Sequence, residues 1–302
     1  MASLKDIKAK IGATKRMNTV TRAMEAVSAV KMRKTQAAAF AGRPYARAAL
    51  AILARLSGSH DIASHPLAKG REVKKTAMLV ITSDKGLAGS LNSAVIKAAA
   101  GAIEGRTKET VIVYAYGKKG MEYFSRRGYE VRKSYENKRD DVPLSVMEEL
   151  AREFSQGFTA QDYDEVIAVY QNFKSTFEQT PVAAKLLPLS LPAVADLVAS
   201  IRPAKGKWSD EISVASPASY EVESSDDITA VLVPRLVAVS LYHMLLESKA
   251  SEHSARMVAM KSASDKSKEV ARDLTRVYNK IRQASITREV SEIVGGREAL
   301  AS

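Results

Sequence analysis

A glycine-containing loop is the stretch of this sequence whose residue types and spacing could do chemistry. The run LVITSDKGLAGSLNSAVIKAA spans residues 79–99, and it places Gly86 and Gly89 between a segment rich in Leu, Val and Ile and a helical pattern. Strand, glycine loop and helix follow one another in this order in many phosphate-binding loops. The stretch therefore raises the question of whether the chain binds a nucleotide.

The details of this loop favour a structural turn over a nucleotide site. Lys85 precedes the first glycine, so the loop matches neither G-x-x-x-x-G-K-S/T nor G-x-G-x-x-G. The carboxylate of Asp84 would repel a phosphate group. A lone G-x-x-G after a strand often only turns the chain and lets a helix approach closely. We therefore expect no bound cofactor.

Other catalytic and metal-binding patterns are missing from the sequence. The chain has no cysteine, which excludes disulfides, thiol catalysis and cysteine metal sites. No G-x-S-x-G and no H-E-x-x-H occurs. The four histidines are scattered without metal-ligand spacing, so we expect structural or surface roles for them; they are His60, His65, His243 and His253. These absences argue against an enzyme.

The distribution of charge points to a partner. The 302 residues carry a formal net charge of +12, and residues 1–57 alone hold twelve Lys and Arg against two Asp and Glu. A basic segment of this kind suits an acidic protein surface, a membrane surface or nucleic acid. No apolar run is long enough to span a bilayer, and the first residues lack the apolar centre of a signal peptide. We expect a soluble protein in a reducing compartment.

Two long helices are predicted at the ends of the chain. In residues 1–57, apolar positions recur in steps of three or four, at Leu4, Ile7, Ile11, Thr14, Met17, Val20, Met24 and Val27. In residues 226–302 a seven-residue register is typical of a coiled coil. One row runs through Leu232, Val239, Leu246, His253, Met260, Ser267, Leu274 and Ile281, and the other through Leu236, His243, Ala250, Met257, Ser264, Ala271 and Tyr278. We predict that the two helices pair as an antiparallel coiled coil.

The middle of the chain has a different pattern. Residues 75–190 alternate buried-strand and helix patterns, which predicts an inserted Rossmann-like α/β domain with a mostly parallel sheet. The strands are expected at 78–83, 111–117 and 165–173, and the helices at 90–104, 119–128 and 143–158. A further strand at 183–191 is limited by Pro188 to an edge or to its own end. Residues 191–225, which contain Trp208, are interpreted as a connecting loop.

Long motifs at both ends of the chain resemble one known family. SLKDIKAKIGATKRMNTVTRAMEAVSAVKMRKTQ with RPYA at 43–46, ESKASEHSARMVAMKSASDKS, and LTRVYNKIRQASITREVSEIVGG are similar to the terminal helices of the gamma subunit of the F-type ATP synthase. SDKGLAGSLN is similar to the start of that subunit's α/β domain. The resemblance covers the whole chain in order.

This resemblance implies a mechanical function without catalysis. The coiled coil would be the central rotor shaft inside a hexamer of alpha and beta subunits, whose beta sites make or hydrolyse ATP. The α/β domain would stand on the membrane ring of c subunits beside epsilon, with delta an indirect partner. The resemblance also implies a peripheral membrane protein on the cytoplasmic side of the bacterial inner membrane.

Individual residues can be matched to the family's motifs. The resemblance implies contact with beta subunits for Met24, Arg256, Gln283 and Thr287, and contact with the c ring or epsilon for Arg43, Tyr45 and Trp208. Lys266 stands where asparagine is common in the family, so we assign it no contact.

Two other functions are compatible with single features. A basic coiled-coil protein that binds nucleic acid would explain the charge of the first helix, although aromatic residues are few, at 6%. An α/β enzyme that uses the glycine loop would bind nucleotide as an isolated chain.

Overall fold

The computed structural model describes the backbone of residues 3–56, 65–189 and 225–301, and the side chains of residues 3–42, 65–189 and 234–297. The elements, in chain order, are helix α1 (Leu4–Leu56), strand β1 (Thr76–Ile81), helix α2 (Leu91–Ala102), strand β2 (Val111–Tyr116), helix α3 (Lys118–Arg126), strand β3 (Glu130–Tyr135), helix α4 (Leu144–Thr159), strands β4 (Glu165–Phe173) and β5 (Gln179–Leu187), and helix α5 (Ser225–Ala301). A short 3-10 turn, Lys108–Thr110, precedes β2.

The five strands form one sheet in the order β3-β2-β1-β4-β5. The first four strands run parallel, and β5 runs antiparallel to β4. Parallel strands joined through helices are typical of a sheet that is covered on both faces. The predicted α/β fold class is therefore confirmed. The predicted last strand is also found at an edge of the sheet, and it ends at Leu187, directly before Pro188.

Strand β3 was not predicted from the sequence. Its residues, EVRKSY, are mostly polar, and exposed positions alternate with half-buried ones along the strand. An edge strand needs only one neighbour and tolerates charges, which also discourage pairing with other chains. Its sequence therefore lacks the continuous apolar pattern that identifies the buried strands β1, β2 and β4.

Helices cover both faces of the sheet. Alternate residues of a strand point to opposite faces, so β1 directs Met78 and Val80 to one side and Leu79 and Ile81 to the other. On the first side they contact residues of α2 and α3, including Val95, Ala99 and Phe124. On the second side they contact residues of α4 and α5, including Leu150, Phe154, Leu241, Met244 and Leu245. Part of α5 thus belongs to the core of the sheet.

The chain divides into two compact units. The sheet unit is Ser28–Arg256, and the two-helix unit is Met1–Val27 together with Met257–Ser302. The sheet unit therefore includes the second part of α1 and the first part of α5 as well as the sheet. The domain limits that we draw from the sequence stay predictions.

The terminal helices are antiparallel within each unit. In the sheet unit, Gln36 lies opposite Ser254, with 3.4 Å between Nε2 and Oγ. Further along α1, a Cβ built on Gly42 would stand 2.9 Å from a methyl carbon of Leu246. In the two-helix unit the side-chain amide of Asn18 donates to the carbonyl oxygen of Ser264 at 2.6 Å. Higher numbers on α1 therefore meet lower numbers on α5, as expected for an antiparallel pair.

The apolar row that indicates helix α1 is not its buried row beyond Thr14, although Met24 is half-buried. Met17, Val20 and Val27 are 60%, 57% and 56% exposed. The buried row instead continues through Thr21, Ser28, Thr35 and Ala39. Three successive steps of three residues, from Ile11 to Val20, turn the apolar row away from the partner helix, whereas alternating steps of four and three keep a row in place. The interface therefore takes small and polar residues, and several apolar residues face outward.

The predicted register on α5 is confirmed over most of the described helix. Val239, Leu246, His253, Met260 and Ser267 are all buried. The row ends before Ile281, which is 37% exposed. After this point nearly every described side chain up to residue 297 is exposed.

We expect Asn18 to stabilise the two-helix unit by hydrogen bonding across it. Its amide donates to the backbone oxygen of Ser264 and, at 3.1 Å, to the Ser264 hydroxyl. Asn18→Ala should lower the free energy of unfolding by about 1 kcal/mol, since a typical intramolecular hydrogen bond contributes that much. Urea unfolding followed by circular dichroism would measure it. Thr19→Ala is the matched control, because the Thr19 hydroxyl bonds only to Lys15 on its own helix, and an equal loss in both variants would contradict the assignment.

Candidate functional site

The loop after β1 has the backbone of a tight turn. Leu87 and Gly89 both take left-handed conformations, with φ of 62° and 58°. Ser83 closes the base of the loop, because its backbone N–H donates to Oδ1 of Asn92 at 2.9 Å and its hydroxyl donates to the Lys85 carbonyl at 2.6 Å. The expected chain-turning geometry is therefore present.

Asp84 takes the place that an anion would need beside this loop. Its Oδ1 accepts from the backbone N–H of Lys118, the first residue of α3, at 2.8 Å. Its Oδ2 accepts from the backbone N–H of Asn137 at 2.9 Å. The N-terminal N–H groups of a helix attract negative charge. In this chain an internal carboxylate satisfies one of them and ties together the loops that follow β1 and β3.

The ends of β1 and β2 are in very close contact next to Asp84. Gly117 has φ of 108°, and a Cβ on it would stand 2.0 Å from the carbonyl oxygen of Thr82. The Thr82 hydroxyl accepts from the backbone N–H of Gly120 at 2.8 Å. Only a residue without a side chain fits at position 117.

Helix α5 crosses this edge of the sheet with a group of buried polar side chains. They are Lys249, Glu252, His253 and Arg256, and each is less than 10% exposed. Their spacing puts them on neighbouring turns of one helix face. Together with Asp140 and Lys31 we call them the polar network.

Arg256 joins the polar network to the glycine loop. Its Nη2 pairs with Oε1 of Glu252 at 2.8 Å, and its guanidinium lies 3.5 Å from the carbonyl oxygens of Lys85 and Gly86. The loop that we considered for phosphate thus directs two carbonyl oxygens towards a cation of its own chain.

Lys249 is a buried cation held by backbone oxygens. Its Nζ donates to the Asn137 carbonyl at 3.0 Å and also to the Arg139 carbonyl. Burial lowers the pKa of Lys249, and the nearby carboxylates of Glu252 and Asp140 oppose that effect. The side chain therefore fixes the loop after β3 to α5.

Asp140 and His253 form the other half of the network. Nε2 of His253 lies 3.1 Å from Oδ1 of Asp140, and Nζ of Lys31 lies 2.9 Å from Oδ2. Burial alone would raise the pKa of Asp140, but the hydrogen bond from Lys31 and the charges of His253 and Lys249 lower it. Since an ionised carboxylate only accepts, we assign the imidazole proton to Nε2.

Acidification should destabilise the chain through His253. Burial lowers the pKa of His253 below 6.5, and Arg256 and Lys249 lower it further, while Glu252 and Asp140 act in the opposite direction. The unfolded chain therefore binds a proton at this residue first as the pH falls through 6.5. The stability present above that pH is lost below it, by at most about 1.4 kcal/mol per pH unit.

The measurement is the thermal midpoint of the chain between pH 7.5 and pH 5.5, for the wild type and for His253→Gln. Gln retains a donor for Asp140 but does not titrate in this range. The variant should lose less stability on acidification than the wild type. Parallel curves would show that His253 is not the group responsible.

The residues matched to the family's contacts lie in different places. Arg256 is buried in the sheet unit, and Met24 is half-buried in the two-helix unit. Gln283 and Thr287 are exposed on one face of α5, where the Thr287 hydroxyl donates to the Gln283 carbonyl at 3.0 Å. The structure thus brings together only this last pair.

The structure describes the other three matched residues only in part. Arg43 and Tyr45 lie in α1, but their side chains are outside the described residues. Trp208 is outside the described residues altogether.

The polar network was not predicted from the sequence. His253 was expected to have a structural or surface role, and Asp140 and Lys249 were not singled out. The signal that could have found them is the polar row at 249, 253 and 256 within an otherwise apolar face of α5.

In the described part of the chain no group of three His, Asp or Glu side chains is placed to hold a metal ion. Likewise, no described helix has a stretch apolar and long enough to span a bilayer.

Comparison with known proteins accounts for this combination of elements. The family model described as ATP synthase matches residues 3–300. The ATP synthase gamma chain of Pelotomaculum thermopropionicum is 37% identical, over 99% of this chain and 100% of that protein. The gamma chain of Roseiflexus castenholzii is 40% identical, over 100% of this chain and 99% of that protein.

Solved structures agree with these relatives. A chain in the central stalk and c-ring structure of the Tetrahymena thermophila mitochondrial ATP synthase is 25% identical, with a TM-score of 0.61, over 81% of this chain and 99% of that one. A chain of the Euglena gracilis mitochondrial enzyme shares the fold, with a TM-score of 0.65 at 15% identity over 98% of this chain and 94% of that one. With relatives this similar over its full length, the chain belongs to the ATP synthase family, among the gamma chains.

Proposed function

We propose that this chain is the central rotor shaft of an F-type ATP synthase. Rotation of the membrane c ring, driven by protons, would turn the sheet unit and both terminal helices. The helices would then present different faces to the surrounding beta subunits, where ATP is made or hydrolysed. A rotor can change the state of such a site only if its contacts differ from one state to another. The chain itself contributes no catalytic group to this reaction.

Helix α5 is buried in the core of the sheet unit near its start and exposed near its end, and this supports the proposal most directly. This one helix contributes Leu241, Met244 and Leu245 to the core of the sheet unit, and it continues to exposed residues as far as 297. A continuous helix that is anchored at one end and uncovered at the other can pass rotation along its length. The relatives named gamma chains match this chain from end to end.

The exposed surfaces of the helices suit protein partners. Apolar side chains are exposed on α1 at Met17, Val20 and Val27, and on α5 at Ile286, Val290 and Ile293. Exposed apolar rows commonly mark protein contacts. We assign these rows to the alpha and beta subunits.

A basic cleft between the helices of the two-helix unit has a matching charge. It encloses about 410 Å³ and is lined by Lys15, Asn18, Thr19, Lys268, Ala271 and Arg272. Three of its lining residues are basic and none is acidic, so it suits an acidic surface of a partner subunit. Charge complementarity of this kind favours association and orientation.

The nucleic-acid alternative has no support among the relatives.

Gln283 and Thr287 are the direct contacts we propose for the beta subunits, and Met24 is a third on α1. Arg256 would contribute from its buried position, through the loop whose carbonyl oxygens it touches. We assign the c-ring and epsilon contacts to Arg43, Tyr45 and Trp208, and an indirect association to delta. This subunit would be a peripheral membrane protein on the cytoplasmic side of a bacterial inner membrane.

The test of the proposed function is co-purification through an affinity tag on this chain. The eluate should contain alpha and beta subunits and hydrolyse ATP, while the chain alone should not. The chain recovered without those subunits, or nucleotide turnover by the isolated chain, would overturn the proposal.

We expect the double variant Gln283→Ala with Thr287→Ala to reduce ATP hydrolysis by the assembled complex. A contact that couples two sites typically changes the measured equilibrium or rate by about fivefold or more. Arg282→Ala is a matched control, because Arg282 is exposed on the same helix and lies about 100° or more around its axis from both residues. Equal activity of the double variant and the control would remove these two residues from the proposed contact.

A further inference from the structure

Asp140 stands where three parts of the sheet unit meet. It belongs to the loop between β3 and α4, while its carboxylate contacts Lys31 of α1 at 2.9 Å and His253 of α5 at 3.1 Å. One side chain of the sheet's own loop therefore bonds to both terminal helices.

The loop that carries Asp140 is held firmly from both sides. Lys249 of α5 donates to the carbonyl oxygens of Asn137 and Arg139. Asn137 donates through its backbone to Asp84 at 2.9 Å and through its side chain to the Thr82 carbonyl at 2.7 Å. The loop that carries the carboxylate is thus tied to the sheet through Asn137 and to α5 through Lys249.

The contacts of Asp140 with α1 are stronger than those of Gln36, a second polar side chain that connects α1 with both the sheet and α5. Gln36 of α1 approaches Thr176 of the β4–β5 turn at 3.5 Å and Ser254 of α5 at 3.4 Å. Those contacts are neutral and long. The pair with Lys31 is charge-assisted, and water screens it in part, because the Lys31 side chain is 42% and the Asp140 side chain 25% exposed.

We propose that Asp140 is a positioning residue for energy coupling. By joining both helices to the sheet, it sets the angle of the helices relative to the sheet and resists twisting between them. This inference rests on the rotor function proposed above. Loss of the carboxylate charge would leave the sheet folded but make the connection between the sheet and the helices more compliant.

The test uses the complete complex, held on a surface by its alpha and beta subunits, with a rotation probe on the c ring. Without nucleotide, the probe fluctuates thermally about its resting angle. The variance of that angle is inversely proportional to the torsional stiffness of the connection. Asp140→Asn and Lys31→Met should each raise this variance, by about twofold if the Asp140 contacts supply half of the torsional stiffness between the helices and the sheet. The double variant should add little, because both changes break the same pair.

Asp141→Asn is the matched control. Asp141 is the adjacent carboxylate, but its side chain is 55% exposed and pairs only with Arg139, two residues away. A purely structural role for Asp140 would lower the thermal midpoint without widening the angular distribution. An unchanged variance in Asp140→Asn, or equal widening in Asp141→Asn, would overturn the inference while leaving the rotor function intact. Failure of the wild-type chain to assemble with alpha and beta would instead overturn the proposed function.

Discussion

Replacing Gly117 with Ala should abolish the folded sheet unit under ordinary conditions. The new Cβ would stand 2.0 Å from the carbonyl oxygen and 2.6 Å from the carbonyl carbon of Thr82. Both are backbone atoms at the end of the central strand β1, so no flexible side chain can move aside. The φ of 108° is also strained for any residue with a side chain. We expect a loss of more than about 4 kcal/mol in the free energy of unfolding, because a backbone clash and a strained φ are combined at one buried position.

Urea unfolding of the purified chain would measure this loss, and recovery of the assembled complex would report its consequence. Gly128→Ala is the matched control. Gly128 also has a positive φ, of 79°, but a Cβ there meets no atom within 4 Å. Its cost should be only the conformational strain, about 1–2 kcal/mol. A Gly117→Ala chain as stable as the Gly128→Ala chain would show that the contact with Thr82 relaxes easily.

Lys249→Met should produce the second largest loss. Lys249 is 3% exposed, and its ammonium group supplies hydrogen bonds to two carbonyl oxygens of the loop after β3. Met fills a similar volume but donates nothing, so these oxygens and the carboxylates of Glu252 and Asp140 lose their cation. Removing one partner from a buried polar group costs more than the pair contributes. We expect a loss of about 3 kcal/mol in the free energy of unfolding.

The comparison for Lys249→Met is Lys261→Met, an exposed lysine on the same helix. Circular dichroism during urea unfolding should place the control within about 0.5 kcal/mol of the wild type, as for most surface substitutions. If Lys249→Met were neutral or stabilising, the desolvation of the ammonium group would outweigh its hydrogen bonds. The polar network would then add no stability at this residue.

The family and the fold class could be predicted from the sequence because their signals are local and long. The strands β1, β2 and β4 are continuous apolar runs, and the register of α5 repeats over many turns. Strand β3 could not be predicted in this way, since an edge strand with EVRKSY has no apolar run. The buried row of α1 after Thr14 could not be predicted either, because it consists of small and polar residues such as Thr21, Ser28 and Ala39.

Residue types, motifs and their order along the chain were sufficient to identify a gamma-type protein without cysteine chemistry. They also showed a basic first helix and a glycine loop that matches neither common nucleotide motif. The roles of the polar residues became visible in the folded chain. The charged residues at this edge come from distant parts of the chain, and they meet because the parallel strands end there and α5 crosses the same edge. They are Lys31, Asp84, Asp140, and Lys249 with Arg256 of α5. The polar row on α5 is visible in the sequence, but its pairing with Lys31, Asp84 and Asp140 is not, since folding alone creates that proximity.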